Sequence, residues 1–114
     1  MNKITNKQLF DLYVDTANRC SSDVKLLTNE EIEYNIFEEF DVGVMWFFHD
    51  DNLNKMIDEG VIKKEAFQIS KEIRNRWIEL DKNNWTINEI KSHPVWNSLF
   101  FSCDRLIALL NRHE

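Results

Sequence analysis

Apolar residues recur at helical spacing along most of this chain, and the clearest example follows Thr28. At about 100° per residue they fall on one face of a helix, and polar residues fall on the other. The apolar positions are Ile32, Ile36, Phe37, Phe40, Val44, Phe47 and Phe48. The polar face holds Glu31, Tyr34, Asn35 and Glu38, with Asp41 on its border. Thr28 and Glu31 have the spacing of a capping box, so we predict a helix over about 29–48.

The pattern changes after Asp41, where Val42, Met45 and Trp46 occupy the side that was polar. A helix that is apolar all round is either buried on every side or docks a partner. One interpretation is a central core helix whose end is covered by other helices. The other is an acidic face that leads into an exposed anchor made by Met45 and Trp46.

Similar patterns predict helices in the rest of the chain. Thr5 with Gln8, and Thr86 with Glu89, are further capping boxes. Gly60 is well placed to end a short helix in a left-handed conformation. The predicted helices run from about 5 to 19 or 20, over 53–59 and 63–81, and from Pro94 onward. A turn is predicted at 83–84 and a helix of one or two turns over Ile87 and Ile90. The fold class is therefore all-α: a compact bundle of four main helices plus one or two short helices, with residues 1–114 as a single helical domain.

The predicted helices share one core, in which we expect six large side chains to be buried together. They are Phe40, Phe47, Trp77, Trp96, Phe100 and Ile107. Two glycines and one proline are too few for the many turns of a β-sandwich or barrel. With 43% hydrophobic residues the chain has enough apolar side chains to fold. No apolar run reaches 18 residues and no signal-peptide pattern opens the sequence, so we expect a cytoplasmic protein without a membrane partner.

Negative charge is concentrated between Glu30 and Glu59, where ten acidic residues face one lysine. The formal charge of this stretch is −9, whereas the whole chain carries −6. Such a balance repels phosphate, so direct binding of nucleic acid is not expected. A compact acidic surface instead attracts a basic protein and accelerates its encounter. The same charge run could also serve solubility alone.

Residues that could carry catalysis are few. His49-Asp50 resembles the adjacent metal ligands of HD-type phosphohydrolases, but those enzymes also need a histidine upstream, and His49 is the first of three. There is no HExxH motif and no glycine-rich phosphate loop. Cys20 and Cys103 stand alone and are expected to be free structural thiols. We therefore expect no enzyme activity, no metal and no cofactor, with His49 punctuating a helix end.

Two segments carry a resemblance to a known group of proteins. They are FDVGVMWFFHDDNLNKMIDEGVI, over 40–62, and EIRNRWIELDKNNWTINEIKSHPVWNSLFFSCDRLIALL, over 72–110. Together with the size and acidity of the chain, they resemble the small helical immunity proteins encoded beside bacterial toxins, including those of contact-dependent growth inhibition systems. The second segment is similar in layout to immunity proteins of ribonuclease toxins. The resemblance implies stoichiometric binding that covers the active site of a nuclease toxin, an RNase or a DNase.

The leading hypothesis is thus a toxin-binding immunity protein. Its steering charges would be Glu31, Glu38 and Asp41, and its anchors would be Tyr34, Met45 and Trp46. A second hypothesis is an acidic helical adaptor or scaffold without a toxin partner, whose acidic face is only solvated. A third is a small hydrolase centred on His49-Asp50.

Overall fold

A computed structural model describes residues 5–80 and 85–111 of the chain, and in these residues it contains helices and no strand. The α-helices are α1 (Asn6–Asn18), α2 (Asn29–Glu33), α3 (Asp41–Phe47), α4 (Asp50–Asp58), α5 (Lys64–Leu80), α6 (Ile87–Ser92) and α7 (Pro94–Asn111). A 3-10 turn covers Ser22–Leu26, and a π-helix over Tyr34–Phe40 joins α2 to α3 in one continuous helix. The all-α prediction is confirmed. The turn predicted at 83–84 lies outside the described residues.

The helix ends lie close to where the capping residues placed them. All three predicted capping boxes are formed, at Thr5, Thr28 and Thr86. In each, the threonine hydroxyl accepts the backbone N–H of the residue three positions on, and the side chain of that residue accepts the backbone N–H of the threonine. Gly60 follows α4 with a φ of 74°, a left-handed conformation that a residue with a Cβ rarely adopts. The short helix α4 begins three residues earlier than predicted, because the Nδ1 atom of His49 caps it by accepting the Asp51 N–H at 3.2 Å.

The capping bonds make two carboxylates sensitive to acid. The backbone N–H groups of Thr28 and Thr86 hold the pKa of Glu31 and of Glu89 below the ordinary value of 4.5. Since the folded protein binds these protons less tightly than the unfolded chain, both carboxylates stabilise the fold above that value. Their contribution is lost as the pH falls through the lowered pKa.

We expect Glu31→Gln with Glu89→Gln to reduce the loss of melting temperature between about pH 5 and pH 3, because the amides retain a capping acceptor but cannot be protonated in this range. Melting curves followed by circular dichroism at several pH values would measure the effect. An unchanged dependence on pH would show that other carboxylates control acid stability.

The π-helix explains how one side of the helix over 29–47 stays buried along its whole length. Its buried positions, continued by Phe48, recur at every fourth residue: Ile32, Ile36, Phe40, Val44 and Phe48. Over these four steps an ideal α-helix would rotate by roughly 160° away from the core. In the π-helix, N–H groups bond five residues back, as the N–H of Asp41 does to the Ile36 carbonyl. The wider turns hold the buried residues in line.

The core is organised around α7, which packs against α1, α5 and α6. Aromatic rings meet edge-on or tilted through its centre, with centroids 5.2 Å apart for Phe40–Trp77, 5.9 Å for Trp77–Trp96 and 6.0 Å for Trp96–Phe100. These four residues are buried as predicted. Phe47 and Ile107 are only partly buried, and Phe48 occupies the core in place of Phe47.

Helices α1 and α3 approach most closely at Gly43. A Cβ added there would overlap Oγ1 and Cγ2 of Thr16 and lie 3.0 Å from its Cβ. Thr16 cannot easily move away, because it is buried and its hydroxyl donates to the Leu12 carbonyl at 2.8 Å. Gly43 is therefore needed for the contact that fixes the acidic helix on the body of the protein.

We expect Gly43→Ala to destabilise the fold by about 1–3 kcal/mol through overpacking, although alanine favours helices by about 1 kcal/mol more than glycine. Thr16→Ala removes the overlapping atoms, so Gly43→Ala should cost less in that background. Urea unfolding of the four proteins in this double-mutant cycle gives both values. An equal cost in the two backgrounds would remove Thr16 as the cause.

Candidate partner-binding surface

The outer side of the helix over 29–47 is charged at its start and apolar at its end. Glu30, Glu33 and Glu38 are exposed, and Tyr34 lies among them. Further along, Val42, Met45 and Trp46 are exposed on α3, and 66% of the Trp46 surface is open to solvent. Of the two interpretations of the apolar end, the structure supports exposure over burial. We call these seven residues, together with Glu31, the outer face.

Two of the acidic residues predicted to steer a partner also form hydrogen bonds within the molecule. Glu31 is exposed, and its carboxylate accepts the Thr28 N–H at 3.1 Å in the capping box. Asp41 is half-buried, and its Oδ1 accepts the indole N–H of Trp77 at 2.9 Å. The third, Glu38, makes no side-chain hydrogen bond or ion pair with any described residue, and neither does Glu33. Glu33 and Glu38 are therefore free acids of the outer face, as is Glu30, whose side chain also makes no such contact with a described residue.

The predicted anchors have different surroundings. Tyr34 is about half exposed, and its hydroxyl donates to Oε1 of Glu39, which orients the ring along the helix. Met45 and Trp46 lie in the last turn of α3, beside a groove of about 510 Å³ between α3 and α4. Its lining consists of Met45, Trp46, His49, Asp51 and Asn52, and we call it the turn groove.

Polar contacts hold the chain in position beside the turn groove. The side-chain amide of Asn52 donates to the Trp46 carbonyl at 2.7 Å. Arg74 of α5 donates to the Phe48 carbonyl at 3.1 Å and to Asp50 at 2.7 Å. The guanidinium lowers the pKa of Asp50, so this carboxylate remains charged and paired. The turn after Trp46 is thus built by residues from three helices.

The groups that could carry catalysis have structural surroundings. His49 uses Nδ1 to cap α4, as the punctuating role predicted. No cluster of three or more potential metal-ligating His, Cys, Asp or Glu side chains occurs within residues 5–80 and 85–111. Cys20 and Cys103 are free and fully buried, and burial raises the pKa of the Cys20 thiol, which disfavours the nucleophilic thiolate.

A second surface with distinct chemistry lies between α5 and α7, and the sequence analysis did not single it out. A groove of about 480 Å³ is lined by Arg76, Pro94, Asn97, Ser98, Phe101, Ser102 and Arg105. It contains two arginines and no carboxylate, in contrast to the outer face. The residues of this groove come from two helices that are far apart in the sequence, so no local sequence pattern indicates it. The groove forms only where α5 packs on α7.

Beyond the predicted partner-binding residues, the structure adds Glu30, Glu33 and Val42 to the outer face, and it places His49, Asp51 and Asn52 in the turn groove. Val42 had been noted in the sequence only for breaking the polar side of the helix.

Comparison of the chain with protein-family models, with curated proteins and with solved structures found no match in any of the three. In the part of the chain that the structure describes, no helix has both the length and the apolar character to cross a membrane.

Proposed function

We propose that this protein is an immunity protein of a toxin–immunity system, which binds a basic nuclease toxin in the cytoplasm and neutralises it by covering its active site. The observation that carries the proposal is the outer face, where free carboxylates and a large exposed aromatic side chain share one rigid helix. The charge and the exposed apolar surface of this face thus support the proposal, in addition to the resemblance found in the sequence.

The charge of the outer face suits a nuclease as partner. A nuclease that binds RNA or DNA phosphates presents cationic groups in its active-site cleft. Glu33 and Glu38 project a negative charge that neither shares with a described cation, so they can attract those groups over several ångströms. Occupying the cleft with carboxylates would exclude the nucleic-acid substrate without any chemistry by the immunity protein.

The apolar end of the outer face supplies the second part of the interaction. Tryptophan and methionine are enriched at the centres of protein interfaces, and buried tryptophans commonly dominate binding energies. Val42, Met45 and Trp46 are exposed together on α3. An interface of ordinary size, about 1,600 Å² in total, could be formed by this helix and α4.

The test is to express the protein with the product of the gene immediately upstream, since an immunity gene directly follows its toxin gene. The proposal predicts a one-to-one complex and loss of the nuclease activity of the toxin when the protein is present at equimolar amount. Absence of both a complex and inhibition would contradict it.

The groove between α5 and α7 favours one other function, that of an acidic helical adaptor. An adaptor needs two separate surfaces, and the arginine-lined groove is chemically unlike the outer face. The two functions differ in stoichiometry: an adaptor would hold two proteins at once, whereas an immunity protein needs one. Analytical ultracentrifugation of complexes purified from the native cell would separate them.

A further inference from the structure

The turn groove at the end of α3 has the features of a receptor for one side chain. Trp46 contributes an indole that is mostly exposed, and Met45 contributes an apolar thioether. Asp51 contributes a carboxylate whose side chain is 91% exposed. His49 and Asn52 complete the lining, which includes none of the lysines or arginines that the structure describes.

The carboxylate of Asp51 is available for a partner. The neighbouring Asp50 already forms an ion pair with Arg74, with 2.7 Å between its Oδ1 and the Nη1 of the arginine. Asp51 instead has the Nδ1 atom of His49 3.8 Å from its Oδ2, and this nitrogen already accepts the Asp51 backbone N–H. Lys55, one turn further along α4, forms no ion pair with it in the described residues. A cation entering the groove would therefore not have to displace a lysine or arginine among residues 5–80 and 85–111.

Hydrogen bonds hold the backbone around the groove in place without a partner. Asn52 ties α4 to the carbonyl of Trp46, and Arg74 ties the following turn to α5. A preformed groove loses little conformational entropy on binding, which favours affinity. The exposed indole is attached to backbone that is held on both sides.

We infer that the turn groove receives an arginine side chain of the basic partner, whose guanidinium stacks on the Trp46 indole and pairs with the Asp51 carboxylate. A planar guanidinium can do both at once, whereas the compact ammonium of lysine cannot stack. Met45 would contact the aliphatic stem of the arginine. The inference rests on the proposed function, because it names the chemistry by which the outer face recognises a basic partner.

The groove can be tested without the partner, by titrating the ¹⁵N-labelled protein with N-acetyl-arginine amide and, separately, with N-acetyl-lysine amide. The expected result is a saturable shift of the Trp46 indole N–H and of the Asp51 backbone N–H with the arginine probe, and binding about tenfold weaker for the lysine probe. The indole N–H of Trp85, which is bonded to the Leu80 carbonyl, serves as the internal reference and should not move.

Asp51→Asn should abolish the saturable shift, and Asp58→Asn, at the other end of α4, should leave it intact. Both residues are exposed, so the variants are expected to fold. Equal shifts with lysine, or shifts that survive Asp51→Asn, would overturn the inference in favour of unspecific attraction of cations. The absence of any saturable shift would also overturn it.

The purified complex separates this inference from the proposed function. If the upstream gene product binds, Asp51→Asn should increase its dissociation rate about tenfold relative to Asp58→Asn. Unchanged dissociation would reject the arginine receptor while leaving the immunity function standing. If the upstream product does not bind at all, the immunity function is rejected, and the titration with the arginine probe still decides what the groove accepts.

Discussion

Replacing Phe100 by alanine is expected to lower the free energy of unfolding by about 3–5 kcal/mol, the largest stability effect that we predict. The ring is 1% exposed and lies in α7, the helix against which α1, α5 and α6 pack. It contacts Trp96 with a centroid distance of 6.0 Å, and the Lys25 ammonium lies 5.6 Å from its centre. Its removal would lose transfer free energy and leave a cavity that rigid neighbours cannot fill.

The neighbouring residue provides the control, because Phe101 is also in α7 but is 54% exposed. Phe101→Ala makes the same chemical change one position along the chain and should cost less than about 1 kcal/mol. Urea denaturation of both variants gives the comparison. Similar costs for the two would mean that the burial assigned to Phe100 is wrong.

Replacing Trp46 by alanine is expected to weaken partner binding by about 2 kcal/mol or more, equivalent to a roughly 30-fold increase in Kd. Most of the change should appear as faster dissociation, because an aromatic side chain buried in an interface holds the formed complex together. Thermal stability should change little, since Trp46 is 66% exposed and leaves no cavity in the core. Surface plasmon resonance and thermal melting measure the two quantities separately.

Phe101→Ala again serves as the control, because it removes an exposed aromatic ring remote in sequence from the outer face. It should leave the dissociation rate unchanged. If Trp46→Ala lowers the melting temperature and spares binding, Trp46 contributes to the fold and not to the interface.

The sequence predicted the elements whose signals are local. A threonine cap and its partner lie three residues apart, so the starts of α1, α2 and α6 could be placed from sequence alone. The stripe from Ile32 to Phe48 likewise indicated which side of the acidic helix is buried. These patterns involve residues close together in the sequence, so the structures they predict do not depend on how distant helices pack.

Other features depended on contacts between distant parts of the chain. The bond from Trp77 to Asp41 joins residues 36 positions apart, so nothing near Asp41 indicated that it would be half-buried. Leu26 is an apolar residue two positions after the buried Val24, yet it is 86% exposed, because the 3-10 turn directs only Val24 fully into the core. Whether Met45 and Trp46 were covered could be decided only by knowing which helices pack against α3.

The choice of steering residues illustrates the same limit for the site. Sequence periodicity placed Glu31, Glu38 and Asp41 on the polar side without showing which carboxylates would be engaged within the molecule. The structure leaves Glu38 free and adds Glu33, while Glu31 caps its helix and Asp41 supports Trp77. We therefore place the charged part of the proposed interface at Glu33 and Glu38. The proposed anchors, which include Met45 and Trp46, are the same as in the prediction.

Association kinetics with the upstream gene product test the proposed interface most directly, using Glu33→Lys with Glu38→Lys on the outer face. The matched control is Glu72→Lys with Glu79→Lys on α5, which changes the net charge equally at two exposed positions elsewhere. Charges at an interface accelerate encounter, and salt screens them. The outer-face variant should associate at least tenfold more slowly at low salt and lose most of its salt dependence, while the control remains close to the wild type. Equal association rates for the two variants would show that the outer face does not guide the partner.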